Sequence, residues 1–513
     1  MASFIRKVPT ASGAQAVQII HKNGREVVGV DHIGSAHDDA ELAALMEIAR
    51  RRLHPGQQAL DLGLEAGPSR APEPAPRRDS TTGGVRVVGT RSQVLWDTLT
   101  DAYQRLGFDT VGDATFAKLV LARIVEPTSK ADTLRVLGEL GVPAPSLRTV
   151  FRCLARCQES DYRAAVAESC VNHARTTTGL ALLMYDCTTL YFEAEKEDSL
   201  RKVGMSKERR VDPQILVGLL VDSTGFPLAV HCFEGNKAET KTLLPVVTDL
   251  VEDLPEAKDV VVVADAGMLS AANLSALEEA GLRFIVGSRI TKAPYDLAEH
   301  FETRGTYFED GQILESQRVM GAGRHARTRR VLYQYLFKRH QRDQQAINAQ
   351  ITRAEKVADG SRPLKKDRFV RLEGTDKGVD WDLVQRARDL AGLKGYVTNI
   401  DPGVMDGQAV IDAYHDLYQV ERSFRMAKSD LAARPVFHHV RESIEAHLTI
   451  VFTALAVARH LQAATGVSIR KIVQTLRPLR SAVIEINGHR LTAEPDIPDT
   501  AREILDSLKD RGD

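Results

Sequence analysis

The sequence predicts an α/β protein, because short apolar runs typical of strands alternate with amphipathic helical runs from residue 176 onward. The predicted strands are Leu180–Cys187, Ile215–Val221, Leu228–Phe233, Asp259–Asp265 and Arg283–Gly287. The run DVVVVAD is apolar without alternation, so both faces of that strand are expected to be buried. Residues 242–254 and 271–280 have helical patterns between these strands. Such alternation is typical of a sheet covered by helices.

The first 175 residues divide into three predicted segments. Residues 1–66 form a small α/β region, with a hairpin at Asn23-Gly24 and then a helix over 40–53. Residues 67–85 are rich in Pro, Ser, Gly and charge, so they are predicted to be a linker. Residues 86–175 are predicted to be mostly helical.

Composition excludes several classes of protein. Of 513 residues, 43% are hydrophobic and 27% are charged, which is ordinary globular composition. No apolar run of about 18 residues occurs, so no transmembrane helix is expected. The start, MASFIRKVPT, has no signal-peptide core, so we expect a cytoplasmic protein. Five cysteines form no CxxC pair and have no zinc spacing.

Positive charge is concentrated although the net charge is only −1. Residues 318–371 contain 15 Lys and Arg against 4 Asp and Glu. Such a surplus inside a neutral chain can form a phosphate-binding surface. The segment lies within a long basic stretch, residues 296–389.

The helical region contains a pattern that resembles a helix-turn-helix. One predicted helix ends near Gly141, and a second begins at Ser146. Arg148 and Arg152 would then be the exposed residues of the second helix that read DNA. An ordinary helical hairpin fits the same pattern, and the sequence leaves both interpretations open.

Asp186 and Asp265 each stand at the predicted carboxyl end of an apolar strand. Active sites of open α/β sheets gather at that edge. Taken singly, each aspartate can equally cap the turn that follows it. The pair becomes informative together with a third acid.

A long helix is predicted from about Gly407 to Leu431. On its helical wheel, Tyr414, Glu421, Arg425 and Lys428 share one narrow face beside an apolar stripe. The same spacing also permits a simple surface pair between Glu421 and Arg425.

These segments together resemble the DDE transposases of bacterial insertion sequences, and most closely the insertion-sequence-four superfamily. That group has the signature Y-x2-R-x3-E-x6-K, which here corresponds to Tyr414, Leu417, Glu421 and Lys428, with leucine in place of arginine. The resemblance spans nearly the whole chain and includes LLMYDCTTLYFE, FEGNKAETKTLL, VVVADAGMLS, IGSAHDDAELAALMEIA and HHVRESIEAHLTIVFTALAV.

The resemblance implies an RNase H-like core, a mixed sheet flanked by helices, over 176–295 and 390–432. The insertion subdomain would be 296–389, and 433–513 a C-terminal helical region. Asp186, Asp265 and Glu421 would be catalytic and would hold two Mg²⁺ or Mn²⁺ ions, with Asp186 bridging them. Tyr414 and Lys428 would contact DNA, and Arg422 or Arg425 would replace the missing signature arginine.

The implied function is cut-and-paste transposition, in which the enzyme binds the terminal inverted repeats, cuts them and joins them to target DNA. Such enzymes usually act as homodimers on paired ends. A metal-dependent nuclease without strand transfer and a catalytically silent DNA-binding protein remain alternatives. A nucleotide-dependent enzyme is disfavoured, because no GxGxxG or P-loop follows the DVVVVAD strand.

Overall fold

The computed structural model describes most of the chain in stretches separated by gaps. The described residues are 2–9, 15–23, 26–36, 45, 49, 86–192, 197–204, 212–252, 260–268, 270–288, 290, 294–323, 326–364, 367–373, 376–434, 436, 440–486 and 489–509. The chain forms two compact units, Met1–Thr81 and Thr82–Asp513.

The first unit contains an antiparallel sheet in the order β1 (Ala2–Pro9), β2 (Gln15–Asn23) and β3 (Glu26–Ala36). Asn23 pairs with Glu26, so the predicted hairpin is confirmed, whereas β1 was not predicted. Val17 is buried in a small apolar cluster with Ala49. Most of the predicted helix 40–53 and all of the predicted linker lie outside the described residues.

The second unit contains the remaining elements. Its described helices are α1 (Gln93–Arg105), α2 (Ala114–Val125), α3 (Thr133–Leu140), α4 (Leu147–Glu159), α5 (Tyr162–Thr177), α6 (Leu243–Glu252), α7 (Ala271–Glu279), α8 (Ala298–Arg304), α9 (Phe337–Ala358), α10 (Trp381–Asp389), α11 (Gly407–His415), α12 (Tyr418–Ser429), α13 (Arg441–Thr465), α14 (Ile469–Leu476) and α15 (Asp499–Lys509). Its described strands are β4 (Arg86–Arg91), β5 (Leu182–Tyr191), β6 (Gln214–Asp222), β7 (Pro227–Glu234), β8 (Val261–Ala264), β9 (Arg283–Ser288), β10 (Ile313–Met320), β11 (Arg327–Tyr335), β12 (Val370–Glu373), β13 (Asp376–Val379), β14 (Leu393–Thr398), β15 (Ser481–Ile486) and β16 (His489–Ala493).

An eight-stranded mixed sheet forms the centre of this unit, in the order β10-β11-β14-β9-β8-β5-β6-β7. β5, β6 and β7 are antiparallel neighbours, whereas β5, β8 and β9 are parallel. Parallel neighbours need crossover connections, which α6 and α7 provide. This order and these directions are those of the RNase H-like fold, so the predicted fold class is confirmed.

Helices cover both faces of the sheet. Every residue of β6 and of β8 is buried, which explains why neither sequence alternates between apolar and polar residues. Cys187 of β5 contacts Thr242 just before α6, whereas the next residue, Thr188, contacts Lys428 of α12. Because successive strand residues point to opposite faces, α6 and α12 cover opposite faces of the sheet.

The long helix α13 is the core of a helical layer. Helices α1, α2, α4 and α5 from before the sheet pack against it together with α15 from the end of the chain. Among the described residues, α13 is the one helix long and apolar enough to cross a membrane by length and composition. However, 94% of its apolar window is buried inside the protein, as in the central helix of a globular core.

Strands β10 and β11 lie inside the predicted insertion, residues 296–389, but they extend the main sheet through β14. The rest of that stretch forms its own small core, in which Ile347 and Ile351 of α9 pack with Phe369 and Val384. In sequence, the run RRVLYQYLFKRHQRDQQAINAQITRAEKVA, residues 329–358, has a helix-like pattern, and this prediction is wrong at its start. Arg327–Tyr335 is a strand, because its β-branched and aromatic residues are buried between β10 and β14. The predicted domain boundaries stay predictions.

The single helix predicted from Gly407 to Leu431 is also wrong, because α11 and α12 are separated by a turn at Asp416 and Leu417. Backbone hydrogen bonds between residues three apart close this turn. Leu417 N donates to Tyr414 O at 3.1 Å, and Val420 N donates to Leu417 O at 3.1 Å. The break lets the two helices pack on different strands, since α11 contacts β9 and α12 contacts β5 and β6.

Candidate active site at the ends of the parallel strands

Asp186 and Asp265 are neighbours in the sheet. The parallel pairing of β5 with β8 ends at Tyr185 and Ala264, so the two aspartates are the next residue on each strand. Adjacent strands lie about 4.8 Å apart. Asp265 is exposed and Asp186 is half-buried, and Asp186 Oδ1 accepts a hydrogen bond of 2.7 Å from Cys187 N. Two carboxylates therefore stand side by side at one edge.

The prediction that Asp186 ends its strand is wrong in part. β5 continues to Tyr191, because its other neighbour, β6, is longer than β8 and pairs with β5 as far as Tyr191 and Gln214. Asp186 therefore lies in the middle of β5 but at the last position beside β8. Asp265 follows β8 directly, as predicted.

Tyr414 at the end of α11 connects to Asp265. Its hydroxyl donates a hydrogen bond of 3.0 Å to Asp265 Oδ1, and its ring packs edge-on against Tyr396, with 5.0 Å between the centroids. Tyr414 is only 5% exposed, and a Cβ on Gly287 would lie 2.5 Å from its hydroxyl oxygen. Burial, then the nearby Asp265 charge, raises the pKa of Tyr414 far above its usual range. The hydroxyl therefore stays protonated and donates to Asp265.

Helix α12 carries Glu421 along β5. Ser423 donates to the Gly225 carbonyl, at 2.7 Å, in the turn between β6 and β7, beside the start of β5. Lys428 donates to Thr188 farther along β5, so helix and strand run in the same direction. Glu421 precedes Lys428 by two turns, or about 10 Å on the same helix face. Asp186 precedes Thr188 by about 7 Å on the same strand face. Glu421 is exposed and lies on α12 between Gln419 and Ser423, both of which contact Gly225 in the turn between β6 and β7.

The acids are not gathered as a ligand set. Among the described residues, no three His, Cys, Asp or Glu side chains are grouped closely enough to hold a metal ion. Glu421 itself is exposed. The donor chemistry nevertheless fits a hard divalent cation, because Asp186 and Asp265 offer adjacent carboxylate oxygens at an accessible edge. Mg²⁺ accepts a few carboxylates and keeps several waters.

Of the predicted arginines of α12, Arg422 lies away from this edge. Arg425 is exposed, and Arg422 donates to Gln419 Oε1 at 3.3 Å. Arg422 lines a cavity of about 780 Å³ that also contains Asp222 and Arg459. Asp222 pairs with Leu183 at the start of β5, so this cavity lies at the edge opposite Asp265.

The helix-turn-helix pattern corresponds to two real helices, α3 and α4. Gly141 ends α3 with a φ of 76°, and Ser146 caps α4 by accepting a 3.1 Å bond from Thr149 N. Arg148 and Arg152 are both exposed on α4, next to Phe151, which is 54% exposed. Their role in reading DNA stays a prediction.

A group of positive side chains beside Tyr414 was not predicted. Lys394 of β14 places its Nζ 4.0 Å from the Tyr414 ring centroid. Burial, then the charge of Arg339, lowers the Lys394 pKa to about 8, although Asp265 opposes this shift. His415 lies close enough for burial and both cations to lower its pKa. The available signal was a lysine inside an apolar strand, GLKGYVTNI, since buried lysines are rare.

Glu239 lies near the loop that follows Asp265. Its Oε2 would be 2.7 Å from a Cβ placed on Gly267. In sequence, Glu239 in EGNKAET can line an active-site mouth, but the turn before a helix is the favoured interpretation.

Comparison with known proteins gives two findings. The family model described as a transposase DDE domain matches residues 181–457. A cryo-EM structure of the piggyBac transposase synaptic complex with hairpin DNA is similar over 75% of this chain and 77% of that chain, with 11% identity and a TM-score of 0.38. No curated protein matches the sequence.

Proposed function

Because this chain belongs to the transposase DDE-domain family and is therefore an enzyme that cuts and joins DNA, we propose that it carries out cut-and-paste transposition of an insertion sequence. Asp186, Asp265 and Glu421 are proposed as the catalytic acids. The observation that carries this proposal is the adjacency of Asp186 and Asp265, each one residue beyond the last parallel pair of β5 and β8.

DDE transposases generally depend on divalent metal ions. In this chain Asp186, Asp265 and Glu421 would hold two Mg²⁺ or Mn²⁺ ions. When bound, these ions would act as Lewis acids at the attacking and leaving oxygens of the phosphodiester.

The protein's own residues orient these groups. The Tyr414 hydroxyl holds one carboxylate oxygen of Asp265, which leaves the other oxygen accessible. The backbone N–H of Cys187 holds one carboxylate oxygen of Asp186. Lys428 lies at Thr188, two residues beyond Asp186, so its positive charge can attract a backbone phosphate there. Glu421 of α12 would complete the acidic site.

The partners follow from this chemistry. The substrates would be double-stranded terminal inverted repeats and a target DNA, held by a homodimer on paired ends in the cytoplasm. Arg148 and Arg152 of α4 are exposed, as a second helix entering a major groove requires. We assign the chain to the insertion-sequence-four superfamily of bacteria on the spacing of Tyr414, Glu421 and Lys428.

A strand-transfer assay tests this function. Purified full-length protein is incubated with Mg²⁺, a DNA fragment carrying the sequence that flanks its coding region, and a supercoiled target plasmid. Covalently joined products are expected from the unaltered protein. Asp265→Asn is expected to lower both cleavage and joining by at least about 1,000-fold, because each tenfold corresponds to only 1.36 kcal/mol of transition-state stabilisation.

Asp249→Asn, at an exposed position of α6, is the matched control and should retain activity. Cleaved fragments without joined products would favour the nuclease alternative. Near-normal cleavage by Asp265→Asn would refute the assignment of that acid.

A further inference from the structure

Two positive side chains from different elements, Lys394 and Arg339, interact electrostatically near Asp265. The start of α9 is held against the start of β14, because Leu336 N donates to Gly392 O at 3.1 Å and His340 Nδ1 lies 3.1 Å from Ala391 O. Lys394 lies in the middle of the sheet on β14, and Arg339 lies in the first turn of α9. The Nζ of Lys394 is 4.0 Å from the centroid of the Tyr414 ring and 5.4 Å from that of Tyr396. The hydroxyl of this same Tyr414 ring binds Asp265, so the cations border the candidate active site.

These cations have no acidic partner. In the described part of the chain neither Lys394 nor Arg339 forms an ion pair, although many other surface and buried arginines do. Arg339 Nε is buried and has no hydrogen-bond partner. Both side chains are only partly exposed. Partly buried cations without partners are costly, so such an arrangement is expected where an anion joins them.

Other charges do not balance them. His415, at the end of α11, adds a third basic group, and its own pKa is lowered by burial and then by Lys394. The acids that face the group are Asp265, which acts on Lys394, and Asp412 and Asp416, which act on His415. The aromatic rings below Lys394 attract a cation weakly and leave its N–H groups available for a ligand.

We propose that Lys394 and Arg339 together bind one phosphate group of the DNA strand next to the bond that is cut. The inference rests on the proposed function, because it takes DNA as the ligand. A backbone phosphate carries one negative charge and oxygens that accept from both an ammonium and a guanidinium group. Neither Lys394 nor Arg339 belongs to the signature, so the site adds a DNA contact that the signature does not contain.

The main alternative is that Lys394 serves only to balance the charge of Asp265. That reading gives Lys394 no contact with DNA and leaves the unpartnered Arg339 unexplained. It also predicts a different outcome when the phosphates of the DNA are altered one at a time.

The test is a double-substitution cycle between protein and DNA. End DNA is prepared with a single uncharged methylphosphonate at successive positions around the cleavage site. Binding is measured by fluorescence anisotropy in EDTA for the unaltered protein, Lys394→Met and Arg339→Met. Lys338→Met is the matched control, because Lys338 is exposed and immediately precedes Arg339 on α9.

We expect one position where the methylphosphonate weakens binding of the unaltered protein and of Lys338→Met by about tenfold. The same substitution should leave Lys394→Met and Arg339→Met nearly unaffected. Both variants should also show a slope of log K against log salt that is shallower by about 0.9, as expected for one lost phosphate contact. Lys394→Arg should restore both effects in part.

Equal sensitivity of all proteins at every position would overturn the proposal. So would a Lys394→Met protein that binds normally with an unchanged salt slope and only cleaves poorly, since that result fits charge balance of Asp265. Binding is measured without divalent metal, so failure of the transposition assay would be seen separately. Thermal unfolding of each variant shows that it is folded.

Discussion

The two sides of the candidate active site are built from different parts of the sheet. The acidic side, Asp186 and Asp265, belongs to β5 and β8 within the five strands of RNase H-like order. The basic side, Lys394 and Arg339, belongs to β14 and to α9, next to the strands that extend the sheet. The strands of the RNase H-like core hold the two aspartates in place. The strands that extend the sheet bring positive charge to the same edge.

The acids also differ among themselves. Asp186 and Asp265 follow buried, hydrogen-bonded strands, so their backbones are held by the core. Glu421 lies on the exposed side of α12, after the turn that separates α12 from α11. Movement of α12 along β5 would change the position of Glu421 without disturbing the two aspartates.

Glu421→Gln should abolish DNA cleavage if the acid on the helix is as necessary as those on the strands. We expect a loss of at least about 1,000-fold in single-turnover cleavage, or ~4 kcal/mol at 1.36 kcal/mol per tenfold. End binding should remain within about threefold, because an exposed acid does not itself attract a phosphate.

Glu442→Gln is the control, since it removes an exposed acid from the first turn of the neighbouring helix α13. Cleavage by Glu421→Gln at the rate of this control would show that Glu421 is a surface residue. The acidic site would then consist of the two aspartates alone.

The strands β5 to β9 and the position of Asp265 could be predicted from the sequence, because an apolar run, and an acid at its end, are local patterns. The end of β5 could not, since it depends on the length of its partner β6. The break between α11 and α12 could not be predicted either, because no Pro or Gly marks it at Asp416 and Leu417. It arises because Tyr414 packs against β9 while Ser423 bonds to the turn before β7.

The same contrast explains the residues that were missed. Tyr414 was expected to contact DNA, but a helical wheel does not show that a hydroxyl reaches an acid 149 positions away. Lys394 and Arg339 are far apart in sequence and interact only because β11 and β14 pair in the sheet. Pairing between distant segments of the chain determines both contacts, and a single sequence does not show which segments pair.

Tyr414→Phe tests the link between the acidic and basic sides. Removing the hydroxyl frees one oxygen of Asp265, so cleavage should fall by about 10- to 100-fold, as for other residues that orient metal ligands. The pKa of Tyr414 is raised far above its usual range by burial and by Asp265, so the hydroxyl is neutral throughout pH 6–9. The shape of the pH–rate profile in that range should therefore be unchanged.

Tyr396→Phe is the control, because Tyr396 packs on Tyr414 and its hydroxyl has no hydrogen-bond partner in the described structure. Normal cleavage by Tyr414→Phe combined with weaker DNA binding would contradict the positioning role. That outcome would instead favour the direct DNA contact predicted from the sequence.

Arg148→Ala and Arg152→Ala should have the smallest effect on chemistry, because α4 lies in the helical layer and not at the sheet edge. Each variant is expected to weaken end binding and to reduce the salt slope by about 0.9 if its arginine contacts one phosphate. A loss that appears only with the correct terminal sequence would instead show a base contact, worth about 1–3 kcal/mol. In both cases the cleavage rate at saturating protein should equal that of Arg502→Ala, an exposed control on α15. A reduced rate at saturation would mean that α4 also shapes the active site. DNA binding by α4 and catalysis at the sheet edge would then not be independent.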